Sequence, residues 1–277
     1  MSVKKDPSGR RSVQAEVEVP GTPEEVWQAI ATGPGISSWF VPTEVDEREG
    51  GKAISHFGPG TSMDSLATIT AWDPPRRFAA DSRDDMGPND PTVATEWIVE
   101  ARSGGVCVVR VVHSWFASSD DWDKQFEGHE QGWLAFFRIL RLYLTHFRGQ
   151  PSSAFQLMGI AAEPKSEAWA ALTGALRLAG ASVGQRVSTP AGSPRLAGLV
   201  ERAGQPEHPE ELLLRLDEPA AGIAHLFAMA MGGQVYLPVR LYLYGDQAAA
   251  AAARAEPLWQ AWMNERFPAV GGASSGC

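Results

Sequence analysis

The chain has 277 residues, 44% hydrophobic and 21% charged, enough for one large domain or two of ordinary size. Its formal net charge of −9 argues against a nucleic-acid partner or an anionic membrane surface, because both are bound through cationic surface. Its two cysteines, Cys107 in an apolar run and Cys277 at the end, form no disulfide framework, so a reducing cytoplasm is the expected location.

Met1–Arg11 is polar and basic, without the apolar stretch of a signal peptide, and reads as a loose tail, as does Gly271–Cys277. Val13–Val19 alternates apolar and polar residues, the pattern of a half-buried strand. Thr22-Pro23-Glu24-Glu25 then reads as a helix start, with Thr22 as cap, Pro23 in the first turn and two acids against the positive helix end. Val26, Trp27 and Ile30 give this helix an apolar face, and a second short helix is placed around Ile36–Phe40. Strand-like runs follow at Lys52–Phe57, Leu66–Trp72, Arg77–Asp81, Val93–Ala101 and Val106–Phe116, with an exposed acidic loop at Asp81–Asp90. A long amphipathic helix closes the series at Trp122–Phe147; Arg138 and Arg141 interrupt it, so it does not span a membrane. Strands in a run followed by a long helix define an α+β domain.

The stretch Ala71–Phe78 (AWDPPRRF) falls between two strands. Its prolines fix φ and cannot donate to a sheet ladder, so it reads as a hairpin corner with Trp72 and Phe78 turned inward. The alternative is that Arg76 or Arg77 gates a cavity mouth.

The second half repeats the first at low identity. At an offset of 142, Gln14 meets Gln156, Glu25 meets Glu167, Trp27 meets Trp169 and Ile30 meets Leu172. At 128, Gly104-Gly105 meets Gly232-Gly233 before a long apolar strand, and at 126 Trp133 meets Trp259. We read a degenerate duplication, with one copy at residues 13–149 and a second at 153–270.

The ordered set EEVWQAI, ISSWF, WDPPRRF, TEWIVEA, VVHSW and GWLAFFRILRLYL resembles the START-like (SRPBCC) superfamily, in the branch named for homology to the activator of Hsp90 ATPase. The resemblance covers nearly all of Val13–Phe147, and the second half shares it faintly. It implies a helix-grip fold, an antiparallel sheet wrapped around one long C-terminal helix, here in two tandem copies. It also implies an apolar cavity between sheet and helix. Members of the superfamily include ligand binders, cyclases, hydrolases and chaperone regulators, so fold does not fix function.

Candidate residues follow from strand alternation. Arg110 marks the outer face of Val106–Phe116, which turns Cys107, Val109, Val111, His113 and Trp115 inward. In Val93–Ala101, Glu96 and Glu100 mark the outside, leaving Thr95, Trp97 and Val99 inside. Phe126, Trp133, Phe137, Leu140, Leu144 and Phe147 recur at helical spacing. Trp97, Trp115, Trp133 and Phe137 form the expected aromatic cluster, with Trp39 and Phe40 closing one end. It is either an ordinary core or the lining of a ligand pocket, whose polar groups are then His113, Thr95 and His56. Gly58–Ser62 reads as a loop at its entrance, and Gly132 as a place where the helix admits a close neighbour or, alternatively, a ligand. Catalysis has little support: there is no GxSxG elbow, His113 is the one acid–base candidate, and His129-Glu130 lacks the second histidine of an HExxH zinc motif. No metal or cofactor is expected. In the second copy Leu241 stands where His113 stands in the first, so that copy reads as structural. The expected function is non-catalytic binding of a small hydrophobic molecule in the first copy. The alternatives are a protein partner, as in chaperone modulation, or a cyclase- or hydrolase-type enzyme using His113.

Overall fold

The computed structural model describes residues 3–7, 9–58, 61, 63–82, 92–116, 123–161, 164–206 and 208–268, with the side chains of 116 and 123–131 outside that description. The acidic loop beyond Ser82, most of Gly58–Ser62, Trp122, the side chains of Phe126, His129 and Glu130, and the tail Gly271–Cys277 lie outside the described residues. The chain divides into two units, Met1–Arg148 and Gly149–Cys277.

The first unit begins with β1 (Lys4–Lys5) and β2 (Arg10–Pro20), then α1 (Pro23–Ala31) and α2 (Gly33–Ser37). Six further strands follow: β3 (Thr43–Val45), β4 (Lys52–His56), β5 (Asp64–Asp73), β6 (Arg77–Ser82), β7 (Val93–Arg102) and β8 (Val106–Phe116). Helix α3 (Asp123–His146) closes it. The strands make one antiparallel sheet in the order β1-β2-β8-β7-β6-β5-β4-β3. This is the expected α+β helix-grip architecture. Strand β8 lies in the middle of its hydrogen-bonding partners: β2 pairs with it without a slip from Arg10↔Phe116 to Pro20↔Val106. On its other side the β7–β8 hairpin turns at Gly104 and Gly105, whose φ values of 80° and 72° favour glycine.

Local sequence explains the elements. Thr22 Oγ1 accepts from the Glu25 amide at 3.3 Å and Glu25 Oε2 accepts from the Thr22 amide at 2.9 Å, a reciprocal cap that starts α1. The second helix begins three residues before the expected Ile36, because Thr32 Oγ1 caps it through the Gly35 amide at 3.1 Å and Pro34 fits its first turn. AWDPPRRF is a hairpin corner: Trp72 and Phe78 are cross-strand partners that pack on Trp27 at 5.1 and 5.8 Å. Arg76 is paired with Asp73 and Arg77 with Glu96 at the surface. Two expectations are corrected. The N-terminal segment is not wholly a loose tail, since Lys4 and Lys5 pair with Ser12 and Arg11. Among the described residues nothing lies within 4 Å of a Cβ added at Gly132, so none of them is the expected close neighbour.

The second unit repeats the plan. It runs β9 (Ser152–Ala161), α4 (Lys165–Ala175), β10 (Arg186–Ser188), β11 (Ala197–Gln205), β12 (His208–Glu218), β13 (Gly222–Phe227), β14 (Met229–Met231), β15 (Gln234–Tyr244) and α5 (Ala248–Arg266). Its sheet order is β10-β11-β12-β13-β15, with β9 and β14 also on β15. Val235, Leu237, Val239, Leu241 and Leu243 face its core with Trp259, Trp262 and Phe267, as alternation and helical spacing predict. No described helix is long and apolar enough to cross a membrane.

Candidate functional site

Register decides which inward residues meet. On β8, Cys107, Val109, Val111, His113 and Trp115 are all buried, as are Val108 and Ser114 of the other face, and the contact of His113 with Trp133 on α3 marks the His113 face as the inner one. His113 lies opposite Val13 on β2 and Thr95 on β7, and Val111 lies opposite Trp97. Thr95 in turn lies opposite Ala80 on β6. One row across the sheet therefore reads Val13, His113, Thr95, Ala80: two polar side chains between two small apolar ones.

Helix α3 brings aromatic rings over this row. Trp133 meets Trp97 edge-on at 5.0 Å and stacks on Phe40 at 5.1 Å. Phe137 lies 6.0 Å from Trp97 and 6.5 Å from Trp39, and Trp39 lies 6.2 Å from Trp97. Trp39 and Phe137 are each 1% exposed, so this side is packed core. Exposure rises along the other side, from buried Phe40 to half-buried Trp133 and Phe57 at 39%. Phe40 joins these through Phe136 at 4.4 Å and Phe57 at 5.7 Å. Phe57 and Phe136 were not among the sequence candidates. Phe136 neighbours Phe137 three residues after Trp133, a helical spacing that could have revealed it; Phe57 stands just past the end of β4 and carried no periodic signal.

Behind the rings runs a polar chain. The Trp133 indole N–H donates to His113 Nε2, and His113 Nδ1 lies 2.9 Å from Thr95 Oγ1. His113 is 8% exposed, and these two contacts satisfy both ring nitrogens, which burial otherwise makes costly. A ring so engaged is held as a neutral strut rather than as a free base. Cys107 is equally unsuited to attack: burial, with the charges of Glu24 and Glu25, raises its pKa, and its thiol contacts the Gly21 carbonyl at 3.3 Å.

Two candidates sit elsewhere. Trp115 is buried in a separate cluster with Val13 and Val93, one row beyond His113. His56 points to the opposite face of β4 from Ser55, whose hydroxyl meets buried Thr43 at 3.2 Å. There His56 Nδ1 lies 2.8 Å from Asp64 Oδ1, and its Nε2 lies 3.6 Å from Glu44. The hydrogen bond to Asp64 raises its pKa; burial opposes, and the charges of Asp64 and Glu44 add to the rise.

Other features are less organised. A depression of about 300 Å³ on the outer face is lined by Arg10, Asp81, Thr92, Ala94 and Ser114, with no aromatic ring. In the second unit, buried Glu211 accepts from Arg202 at 2.8 Å and lies 3.2 Å from His225, an internally paired group. No cluster of His, Cys, Asp and Glu suited to a metal ion occurs among the described residues.

An antiparallel sheet gripping one long helix, with an aromatic layer between them, defines a helix-grip domain. Residues 20–145 match the family described as activator of Hsp90 ATPase homolog 1-like protein, so the first unit is similar to that family over nearly its whole length. Among solved structures, the di-domain ARO/CYC BexL from the BE-7585A biosynthetic pathway aligns over 94% of this chain and 99% of its own, at 13% identity and a TM-score of 0.45. CalU16 from Micromonospora echinospora aligns over 52% of this chain and 83% of its own, at 19% identity and 0.41. The Aha1 dimer from Colwellia psychrerythraea aligns over 48% of this chain and 95% of its own, at 18% identity and 0.41. No curated protein matches the chain.

Proposed function

We propose that the first unit binds a small hydrophobic molecule against the aromatic wall of Phe40, Trp97 and Trp133, without catalysing a reaction on it. The observation that carries this reading is the state of Trp133. It is half-buried, stacked on Phe40 and pinned by His113, so a large apolar face is held rigidly at the edge of the core. Fixed aromatic surface with a few placed polar groups is the usual make-up of a small-molecule site. The non-catalytic part rests on His113, whose two nitrogens are engaged with Trp133 and Thr95, and on a thiol at Cys107 held protonated by burial. Thr95, His113, Phe40, Trp97 and Trp133 are the proposed ligand-contacting set, with Trp39 and Phe137 as packed support.

Native mass spectrometry of freshly purified protein tests the proposal. A small molecule retained in the native spectrum and lost on denaturation is the expected result, and Trp133→Ala should release it. A clean apo mass, together with no thermal shift across a panel of lipids and aromatic compounds, would overturn the reading and favour a protein partner, the role that the family description names.

A further inference from the structure

The polar chain behind the wall has a direction, and we infer from it that the site favours flat aromatic molecules bearing a carbonyl-type acceptor oxygen, with Thr95 as the residue that selects them. The inference rests on the proposed binding role and deepens it.

An indole N–H can only donate. His113 Nε2 must therefore accept from Trp133, and a neutral imidazole then carries its proton on Nδ1. That proton goes to Thr95 Oγ1, 2.9 Å away. The reverse polarity is closed, because it would require the indole nitrogen to accept. Thr95 Oγ1 is thus the acceptor toward His113, and its own hydrogen is left to donate elsewhere. Among the described residues His113 is its one hydrogen-bond partner. The cross-strand neighbour of Thr95 on β6 is Ala80, which offers no side-chain acceptor.

Position makes this donor useful. Thr95 is half-buried and lies two residues from Trp97 on the same strand face, beside the Trp97–Trp133 pair. A ring lying along that pair brings its edge to the Thr95 hydroxyl. A carbonyl on that edge receives the hydrogen. A hydrocarbon edge leaves it unmade. The tautomer that Trp133 imposes on His113 therefore sets the polarity of the site through two intervening hydrogen bonds.

Matched probes test this: 1-indanone with indane, and 9-fluorenone with fluorene, titrated by tryptophan fluorescence into wild type, Thr95→Val and Thr95→Ser. The measured quantity is the ratio of ketone to hydrocarbon affinity, which removes the difference in the probes' own hydrophobicity. The ratio should fall about three- to tenfold in Thr95→Val, the worth of one neutral hydrogen bond, and be kept in Thr95→Ser. If Thr95→Val does not fold, Thr95→Ala serves in its place. An unchanged ratio in a folded Thr95→Val or Thr95→Ala variant overturns the inference and leaves the binding role standing. Failure of all four probes to bind the wild type defeats the binding role itself, and this inference with it.

Discussion

His113 is the residue on which the site turns. Replaced by Leu, it would leave the Trp133 indole N–H without its acceptor at a half-buried position. The second unit already has this arrangement: Leu241 occupies the matching register, and the Nε1 of Trp259 is buried with no hydrogen-bond partner among the described residues. Removing one member of a buried pair costs the desolvation of the other, so His113→Leu should lower stability by about 1–3 kcal/mol in chemical denaturation. A change within roughly 0.3 kcal/mol of zero would show that the chain does not hold the wall in place. His56 answers to pH instead. Its folded pKa lies above its ordinary value near 6.5, chiefly through the hydrogen bond to Asp64. The stabilisation it gives is therefore complete below the unfolded value and is lost as the pH rises through the folded one. The stability difference between wild type and His56→Gln should accordingly be larger at about pH 5.5 than at about pH 9. A difference that does not vary with pH would remove the Asp64 pair from the account.

At the scale of elements, two glycines make opposite predictions. Gly35 lies where α2 turns back on α1, and a Cβ built there would be 1.9 Å from the Gln28 carbonyl oxygen. Backbone must move to admit it, so Gly35→Ala should cost at least about 2 kcal/mol. Gly132 lies in α3, exposed, with no described residue within 4 Å of an added Cβ. Gly132→Ala should raise stability by about 0.5–1 kcal/mol through helix propensity. Thermal denaturation of the two variants reads both signs at once, and like signs would mean that one of these surroundings is misjudged. The same contrast marks what the sequence could say. Alternation placed Arg110 outside and His113 inside, and the cap at Thr22 and the corner at Asp73–Arg77 were legible from local chemistry. Alternation names a face, however, and not the neighbours on it. That Thr95 lies opposite His113 depends on strand register, which joins residues 18 positions apart. For the same reason sequence grouped Trp115 with Trp97 and Trp133, where the structure packs it with Val13 and Val93, and named His56 as a pocket group, where the structure places it on the opposite face of β4 from Ser55. For Gly132, sequence offered no way to tell a tight helix contact from an exposed position.

At the scale of the whole molecule, the repeat can be checked through the sheets. The offsets of 142 and 128 came from different segments of sequence. Applied together, they turn the β2–β8 pair Gln14↔Val112 into Gln156↔Arg240, which is a β9–β15 pair, and Val17↔Val109 into Gly159↔Leu237, another. Chance likeness between two halves has no reason to carry partners onto partners, which supports a proposal of duplication with separately folding copies. The core of the second unit is drawn from its own strands and helices: Leu214 on β12, Leu226 on β13, Leu237 and Leu241 on β15, Leu172 on α4 and Trp259 on α5 are each fully buried in one cluster. A unit whose core is internal should fold without the rest of the chain. Gly149–Cys277 expressed alone is therefore expected to give a single cooperative thermal transition with a mixed sheet and helix circular dichroism spectrum, and no ligand response to the ketone probes, since Leu241 and Ala224 replace the paired positions of His113 and Thr95. A fragment that stays unfolded would show that the second copy depends on the first for its stability. A folded fragment that binds the ketones would move the site out of the Thr95–His113–Trp133 chain altogether.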